Sequence, residues 1–296
     1  MLGRCRRQVL LCDWGSHRNA RSRAIHGYLT RDGTAPAEFL RLARAELDRY
    51  PTVEVRPALV TDARIVSGGF RVTLEGGPTL GTHKLLLATG VADELPEIEG
   101  LDPLYGTSVH HCPYCDAWEW SDQPIAAYGS GDAASGLALA LTAWSADVVL
   151  FTDGPAEIGE TYRDHLAEAG VPLCETPILR LEGRDGLLER VVLVDGTAVP
   201  RRALFVAAGQ RQRSRLAEDL GCQFNHRGTV DTGSCEATNV PGLYVAGDAS
   251  KEAQFVIVAA AEGSEAGMAI HKALIAAGIR SGSHTRPAPA LPESSQ

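Results

Sequence analysis

Apolar residues fall along this chain in short runs punctuated by glycine, and the runs predict strands. The first, QVLLC at 8–12, ends in Asp13-Trp14-Gly15 and reads as a buried strand followed by a turn. A helix is predicted over 35–49. Thr34 is its expected cap, Pro36 sits in the first turn, and Phe39, Leu40, Ala43 and Leu47 share one apolar face. Short strands follow as far as residue 88, the last within HKLLLATG (83–90). A second apolar run, RRALFVAAG at 201–209, ends in nearly the same way. Two strands that both stop at Ala-x-Gly predict two related units in one chain.

The second unit opens at PIAAYGSGDAASGLALALTAW (124–144), and DVVLFTDG (147–154) supplies its next strand. Strand, Gly129-x-Gly131-x-x-Ala134, apolar helix and strand form the setting of a dinucleotide fingerprint. The glycines permit a tight turn and bring backbone N–H groups up to a pyrophosphate at the helix N-terminus. A glycine-rich connection that binds nothing would carry the same letters, and only the context argues against it. Further on, TNVPGLYVAGDAS (238–250) gives a turn, a short buried strand and the pair Gly247-Asp248. An Ala-rich helix runs from there to about residue 277, and the composition of 281–296 predicts a disordered tail.

Composition narrows the class. A chain of 296 residues exceeds a small redox module and suffices for two domains. With 44% hydrophobic and 22% charged residues, it reads as a soluble protein with a substantial core. The net charge of −9 argues against a nucleic-acid partner and against attraction to an anionic membrane. No apolar run approaches the roughly 20 residues of a membrane span. The basic N-terminus precedes a run too short for a signal peptide, so a cytoplasmic location is expected. Seven cysteines, an odd number in a large chain, do not suit a secreted disulfide framework. Only Cys112 and Cys115 have the spacing of working thiols; Cys5, Cys12, Cys174, Cys222 and Cys235 read as small buried or half-buried residues.

The pair lies in HHCPYCDAWEW (110–120). A zinc knuckle would need a second ligand pair, and the chain has no other Cys-x-x-Cys, so no metal is expected. A glutaredoxin-type motif opens a helix after the first strand of a small domain, whereas this one follows a complete first unit. An inert buried pair stays open as a reading. His110 and His111 read as ordinary surface or core histidines, although either could tune the thiols.

The order Ala-Thr-Gly, Cys-x-x-Cys-Asp, Gly-x-Gly-x-x-Ala, Ala-x-Gly and Val-Pro-Gly-Leu-Tyr-Val-Ala-Gly-Asp resembles the low-molecular-weight thioredoxin reductases, a family of FAD-dependent disulfide oxidoreductases. The resemblance covers nearly all of the chain except the tail. It implies an α/β fold of two Rossmann-like (FAD/NAD(P)-binding) domains, the second inserted into the first. The FAD-binding domain would be 1–104 plus 226–280, and a pyridine-nucleotide-type domain at 105–225 would carry the Cys-x-x-Cys. It further implies a homodimer that cycles electrons between a nicotinamide, FAD and the cysteine pair. Cys115 matches the flavin-facing thiol, Cys112 the interchange thiol that meets substrate, and Asp116 the acid/base beside them. The chemistry needs these types, because a thiolate attacks and a carboxyl moves the proton. Thr89, Gly90, Gly247, Asp248, Gln254, Phe255 and Val256 match FAD-binding positions, with Asp248 on the ribityl chain. The helix N-terminus at Phe255–Val256 would stabilise negative charge on reduced flavin. The substrate implied is a thioredoxin-like protein or a small-molecule disulfide or dithiol.

Two departures from the family pattern bear on function. NADPH-using members carry basic residues after the strand that follows the fingerprint; here LFTDGPAEIG (150–159) offers Asp153 and no Arg or Lys before Arg163. A carboxylate suits a ribose 2'-hydroxyl and repels a 2'-phosphate, so NADH is favoured over NADPH. Alternatively the nicotinamide site is unused. The dithiol oxidases of the gliotoxin and holomycin type resemble thioredoxin reductases, carry a Cys-x-x-Cys, and pass electrons from a small dithiol through FAD to oxygen. The other departure is that Val9 stands too near Met1 for an FAD fingerprint to precede it at the second unit's spacing. Asp13 would then be the ribose acid of a truncated FAD domain. A misplaced start codon is expected rather than a genuine fragment, with weak FAD binding by residues 1–296 alone. A non-catalytic redox or nucleotide-binding protein is the third reading.

Overall fold

The computed structural model describes residues 1–280; the tail expected to be disordered, 281–296, lies outside the described residues. A five-stranded sheet, parallel throughout, organises the middle of the chain. Its order is Leu173–Cys174, Val148–Phe151, Ile125–Tyr128, Ala203–Val206 and Val109–His110. All four residues of Val148–Phe151 and of Ala203–Val206 are buried, as expected of parallel strands covered on both faces. Ile125, Ala127, Leu150 and Phe205 turn to one face, where they pack with Ala134, Ala138 and Leu141 of the helix Gly131–Leu141. Ala126, Val149, Phe151 and Leu204 turn to the other, against Leu188 and Val191 of an antiparallel meander, Ile178–Arg184, Leu187–Leu193 and Ala198–Pro200. The strand Ile125–Tyr128 is central and its neighbours connect in opposite directions, so a ligand crevice is expected at its C-terminal end.

The remaining residues build the host domain. Leu85–Leu87 pairs in parallel with Leu243–Val245, and a second meander comprises Val60–Val66, Gly69–Leu74 and Thr79–Thr82. Phe70, Leu87, Val230, Leu243 and Val245 form its core, and the helix Val256–Ala276 closes the described chain. The chain leaves this domain along Val91–Glu94 and returns along Gly209–Gln212. These two strands pair antiparallel, with Glu94 opposite Gly209. The fold is thus two α/β domains, the second inserted into the first. Among the described residues no helix is long and apolar enough to cross a membrane.

Three local expectations are corrected. QVLLC does form a strand, Val9–Cys12, but it pairs along one edge only, with Val53–Arg56, leaving Leu10 and Leu11 37% and 38% exposed. The first helix is Pro36–Leu47, capped by position at Ala35 with no side-chain cap bond. Thr34 is instead drawn into a bridge with Ile25, whose N–H donates to the Thr34 carbonyl at 2.8 Å. On that helix Ala43 is exposed, while Phe39 packs edge-on to Tyr28 with ring centroids 5.1 Å apart.

Candidate active site

The Cys-x-x-Cys sits at the end of the sheet's edge strand. Val109–His110 is fully buried and delivers Cys112 to the N-cap of a four-residue helix, Pro113–Asp116. Pro113 at the first helical position has its backbone preset for that turn. The turn brings Cys115 N–H to 3.3 Å from the Cys112 carbonyl and the two Cα atoms to 5.3 Å, and the side chains are joined as a disulfide. Asp116 ends the helix. Tyr114, between the two cysteines, and Trp118, after them, are 70% and 75% exposed.

Each histidine before the pair belongs to a different hydrogen-bonded group. His110 is 5% exposed and stacks on Phe205, centroids 5.4 Å apart. Trp120 Nε1–H donates to its Nε2 at 3.2 Å, and its Nδ1 lies 3.3 Å from Asp116 Oδ1. His111 Nδ1 is 2.9 Å from the Tyr105 hydroxyl, which donates to Asp93 Oδ2 at 2.9 Å. Arg18 grips Asp93 through Nε and a terminal nitrogen, at 3.1 and 2.5 Å, and its other terminal nitrogen donates to Asp248 at 2.9 Å and to Gln254 at 2.5 Å. A continuous polar path therefore runs from the residue before Cys112 to Asp248 and Gln254.

The charges on this path are mutually supported. Burial alone would push the Asp93 carboxyl up, but the hydrogen bond from Arg18, helped by His111, brings it below its ordinary value. Burial, with Asp93 adding to it, pushes the Tyr105 phenol far up. Burial also holds His111 below its ordinary value, and the pull of Asp93 only partly opposes it. Arg18 loses hydration, yet its two carboxylates keep its guanidinium above the usual value.

Do these residues fit a flavin? The long helix begins at Phe255–Val256 with no side-chain cap, which leaves first-turn N–H groups for an anionic or carbonyl oxygen. Asp248 precedes it, 21% exposed at the side chain and engaged by Arg18 through one oxygen. Gly90 lies at φ +66° with no atom within 4 Å of where a Cβ would stand, leaving room at the end of its strand. Asp13 accepts from Gly15 N–H at 2.8 Å and pairs with Arg44, and these bonds outweigh burial to lower its carboxyl. Arg213 ties the two loops, donating its N–H to the Gly90 carbonyl and its guanidinium to Ser16. Thr89 adjoins Gly90. Acceptors for hydroxyls and an uncapped helix end fit such a cofactor.

The fingerprint forms a separate group at the crevice. A Cβ on Gly129 would stand 3.0 Å from that of Ala207 and 3.2 Å from that of Ala134, so the close approach of helix and strands requires glycine. Gly131 adopts φ +68° in open space, its N–H held by the Ala156 carbonyl. Asp153, expected to face a ribose, already accepts from Ile178 N–H at 2.8 Å and from the Tyr128 hydroxyl at 3.1 Å. Burial, then Asp153, leaves that phenol pushed up to about 12. Arg18, Asp93, Tyr105 and Trp120 were not singled out in the sequence. Only the two histidines abutting Cys112 hinted at them.

A disulfide held on a short helix and wired to an uncapped helix end, beside a second domain with a dinucleotide crevice, defines a flavin-linked disulfide oxidoreductase. The chain belongs to the pyridine nucleotide-disulphide oxidoreductase family, which it matches over residues 20–263. It is 30% identical over 283 residues to an Arthroderma benhamiae protein named "Probable thioredoxin reductase", covering 85% of this chain and 70% of that one. Among solved structures it resembles HlmI at 36% identity and a TM-score of 0.89, covering 94% and 88% of the two chains. It also resembles an oxidoreductase from Agrobacterium tumefaciens, at 35% identity and a TM-score of 0.86, covering 93% and 92%. The enzyme is an FAD-dependent disulfide oxidoreductase of thioredoxin reductase type, and its family's cofactors are FAD and a nicotinamide.

Proposed function

We propose that Cys112 exchanges with the substrate disulfide while Cys115 faces the flavin and Asp116 handles the proton. One observation carries this: Asp116 and the disulfide share one short helix, beside the polar path that ends at Asp248 and Gln254. FAD, when bound, supplies a two-electron relay between nicotinamide and dithiol. Asp13, Thr89, Gly90, Gly247, Asp248, Gln254, Phe255 and Val256 would hold it, in the host domain. The bounds expected for that domain, 1–104 and 226–280, move to the ribbon of Val91–Glu94 and Gly209–Gln212, because Leu101 and Leu104 pack in the insert and Leu216, Leu220 and Cys222 in the host core. The chain's own step is thiol–disulfide exchange. The Cys112 thiolate attacks one substrate sulfur, breaking the substrate disulfide and releasing its other sulfur as a thiolate that takes up a proton. The Cys115 thiolate then attacks Cys112, closing the Cys112–Cys115 bond and freeing the second substrate sulfur.

For the nicotinamide, NADH is the better fit at Gly129, Gly131, Ala134 and Asp153, because the carboxylate would repel a 2'-phosphate. A thioredoxin-like protein is the substrate class suggested by the named relative. A second reading, oxidation of a small dithiol by oxygen, is favoured by a cavity of about 410 Å³ reaching Asp116, His110 and Trp120, of the size small ligands occupy. We place the protein in the cytoplasm as a homodimer, the second by its resemblance to thioredoxin reductases.

The test is anaerobic flavin bleaching with NADH, NADPH or a small dithiol. Bleaching by NADH in preference to NADPH supports the reductase reading; bleaching by the dithiol alone transfers the assignment to the oxidase. In two-electron-reduced protein, Cys115→Ser should abolish the thiolate–flavin charge-transfer band and Cys112→Ser should keep it. The reverse pattern exchanges the two roles.

A further inference from the structure

We propose that His110 is a positioning residue for Asp116, with its tautomer set by Trp120. The inference rests on the reading of Asp116 as the acid/base of the dithiol. An indole N–H can only donate, so the 3.2 Å contact requires a lone pair on His110 Nε2. The single ring proton of neutral His110 therefore sits on Nδ1, the nitrogen 3.3 Å from Asp116 Oδ1. Burial and the stack on Phe205 fix the plane of the ring. Phe205 is also the cross-strand partner of His110, so ring and support move as one piece of sheet. A donor carried on a strand holds its target more closely than one on a loop.

The consequence concerns where a proton goes. When a cysteine S–H passes its proton to Asp116, the S–H bond breaks, the sulfur keeps the electron pair as thiolate, and a carboxyl O–H forms. His110 retains its own proton throughout. It keeps that nitrogen 3.3 Å from the carboxylate and so holds Asp116 in place at the end of the short helix. The titratable groups facing the pair are Arg18, Arg21, Tyr105 and His111 on one side and Arg23, His26 and Glu119 on the other. None of these replaces His110: among the described residues it is the one basic side chain within 4 Å of the Asp116 carboxylate.

Two readouts test this in the full-length protein. Nitrogen-15 NMR, which needs no turnover, should show a single Nδ1–H tautomer for His110 in the native protein and a tautomer mixture in Trp120→Phe. In His110→Leu, kcat should fall about tenfold with the substrate KM unchanged. His110→Asn, whose amide can present an N–H near the Nδ1 position, should recover to within about threefold of native. If Trp120→Phe keeps a pure Nδ1–H tautomer, the role given to Trp120 is overturned. If His110→Leu keeps the native kcat while Asp116→Asn loses it, His110 positions nothing and only the dithiol reading survives. An Asp116→Asn protein with native kcat would sink the reading of Asp116 itself, and this proposal with it.

Discussion

At the scale of single residues, the pH response is set by His111 and Asp93. Burial lowers the folded-state value of His111 below its ordinary 6.5, so between the two values the unfolded chain binds more protons. Stability should therefore fall as pH drops below about 6.5, by at most about 1.4 kcal/mol per pH unit from this group. Thermal melts of native and His111→Gln protein between pH 7.5 and 5.5 should diverge accordingly, the variant having the flatter profile; parallel profiles would exclude His111 as the source. Asp93, whose value is depressed, contributes in a lower window: its stabilisation is complete above 3.8 and is lost as pH falls further. Arg18→Leu would strand this carboxylate, only 7% exposed, at a cost of about 3–5 kcal/mol. Adding Asp93→Leu should return part of that loss in urea denaturation, and strictly additive losses would mean the two are not coupled. This pair was not legible in the sequence, because Arg18 meets residues 75 and 230 positions away and nothing local marks them. The disulfide was legible, because Cys112 and Cys115 stand only three positions apart, with Asp116 directly after them.

Elements were legible where an apolar run is short, bounded by glycine and buried on both faces, as in Ile125–Tyr128, Val148–Phe151 and Ala203–Val206. Reading failed where hydrophobicity does not report burial. QVLLC has the letters of a buried strand, yet its pairing along one edge leaves two leucines exposed. The cap of Pro36–Leu47 failed for another reason, since Thr34 is claimed by a bridge that spans a loop. At the fingerprint, two glycines with the same spelling carry different loads. Gly129→Ala must push Ala134 and Ala207 apart at φ +141°, costing about 1–3 kcal/mol beyond backbone strain. Gly131→Ala meets nothing nearer than 3.9 Å and bears strain alone at φ +68°, about 1–2 kcal/mol. Calorimetry should rank their melting temperatures with Gly129→Ala lower; equal values would show that the strand–helix contact yields freely.

For the whole molecule, the two-domain division was visible in the repeated Ala-x-Gly endings and the insertion in the order of motifs, whereas the antiparallel ribbon that joins the domains was not. The inserted part has its own packed faces on both sides of its sheet, from Leu95 and Ile98 to Ala208. Residues 95–208 expressed alone should therefore unfold in one cooperative thermal transition by circular dichroism; a gradual, non-cooperative loss would show that the host completes their core. The ribbon of Val91–Glu94 and Gly209–Gln212 gives this a further meaning. Glu94 and Gly209 are cross-strand partners, so the chain departs and re-enters at one spot. Seen from the host, everything between those residues is an enlarged hairpin loop, and lengthening a loop is cheap: each doubling costs only about 0.6 kcal/mol of closure entropy. A cassette attached in this way can be exchanged for another, or for a tight turn, without asking the host to refold around new endpoints.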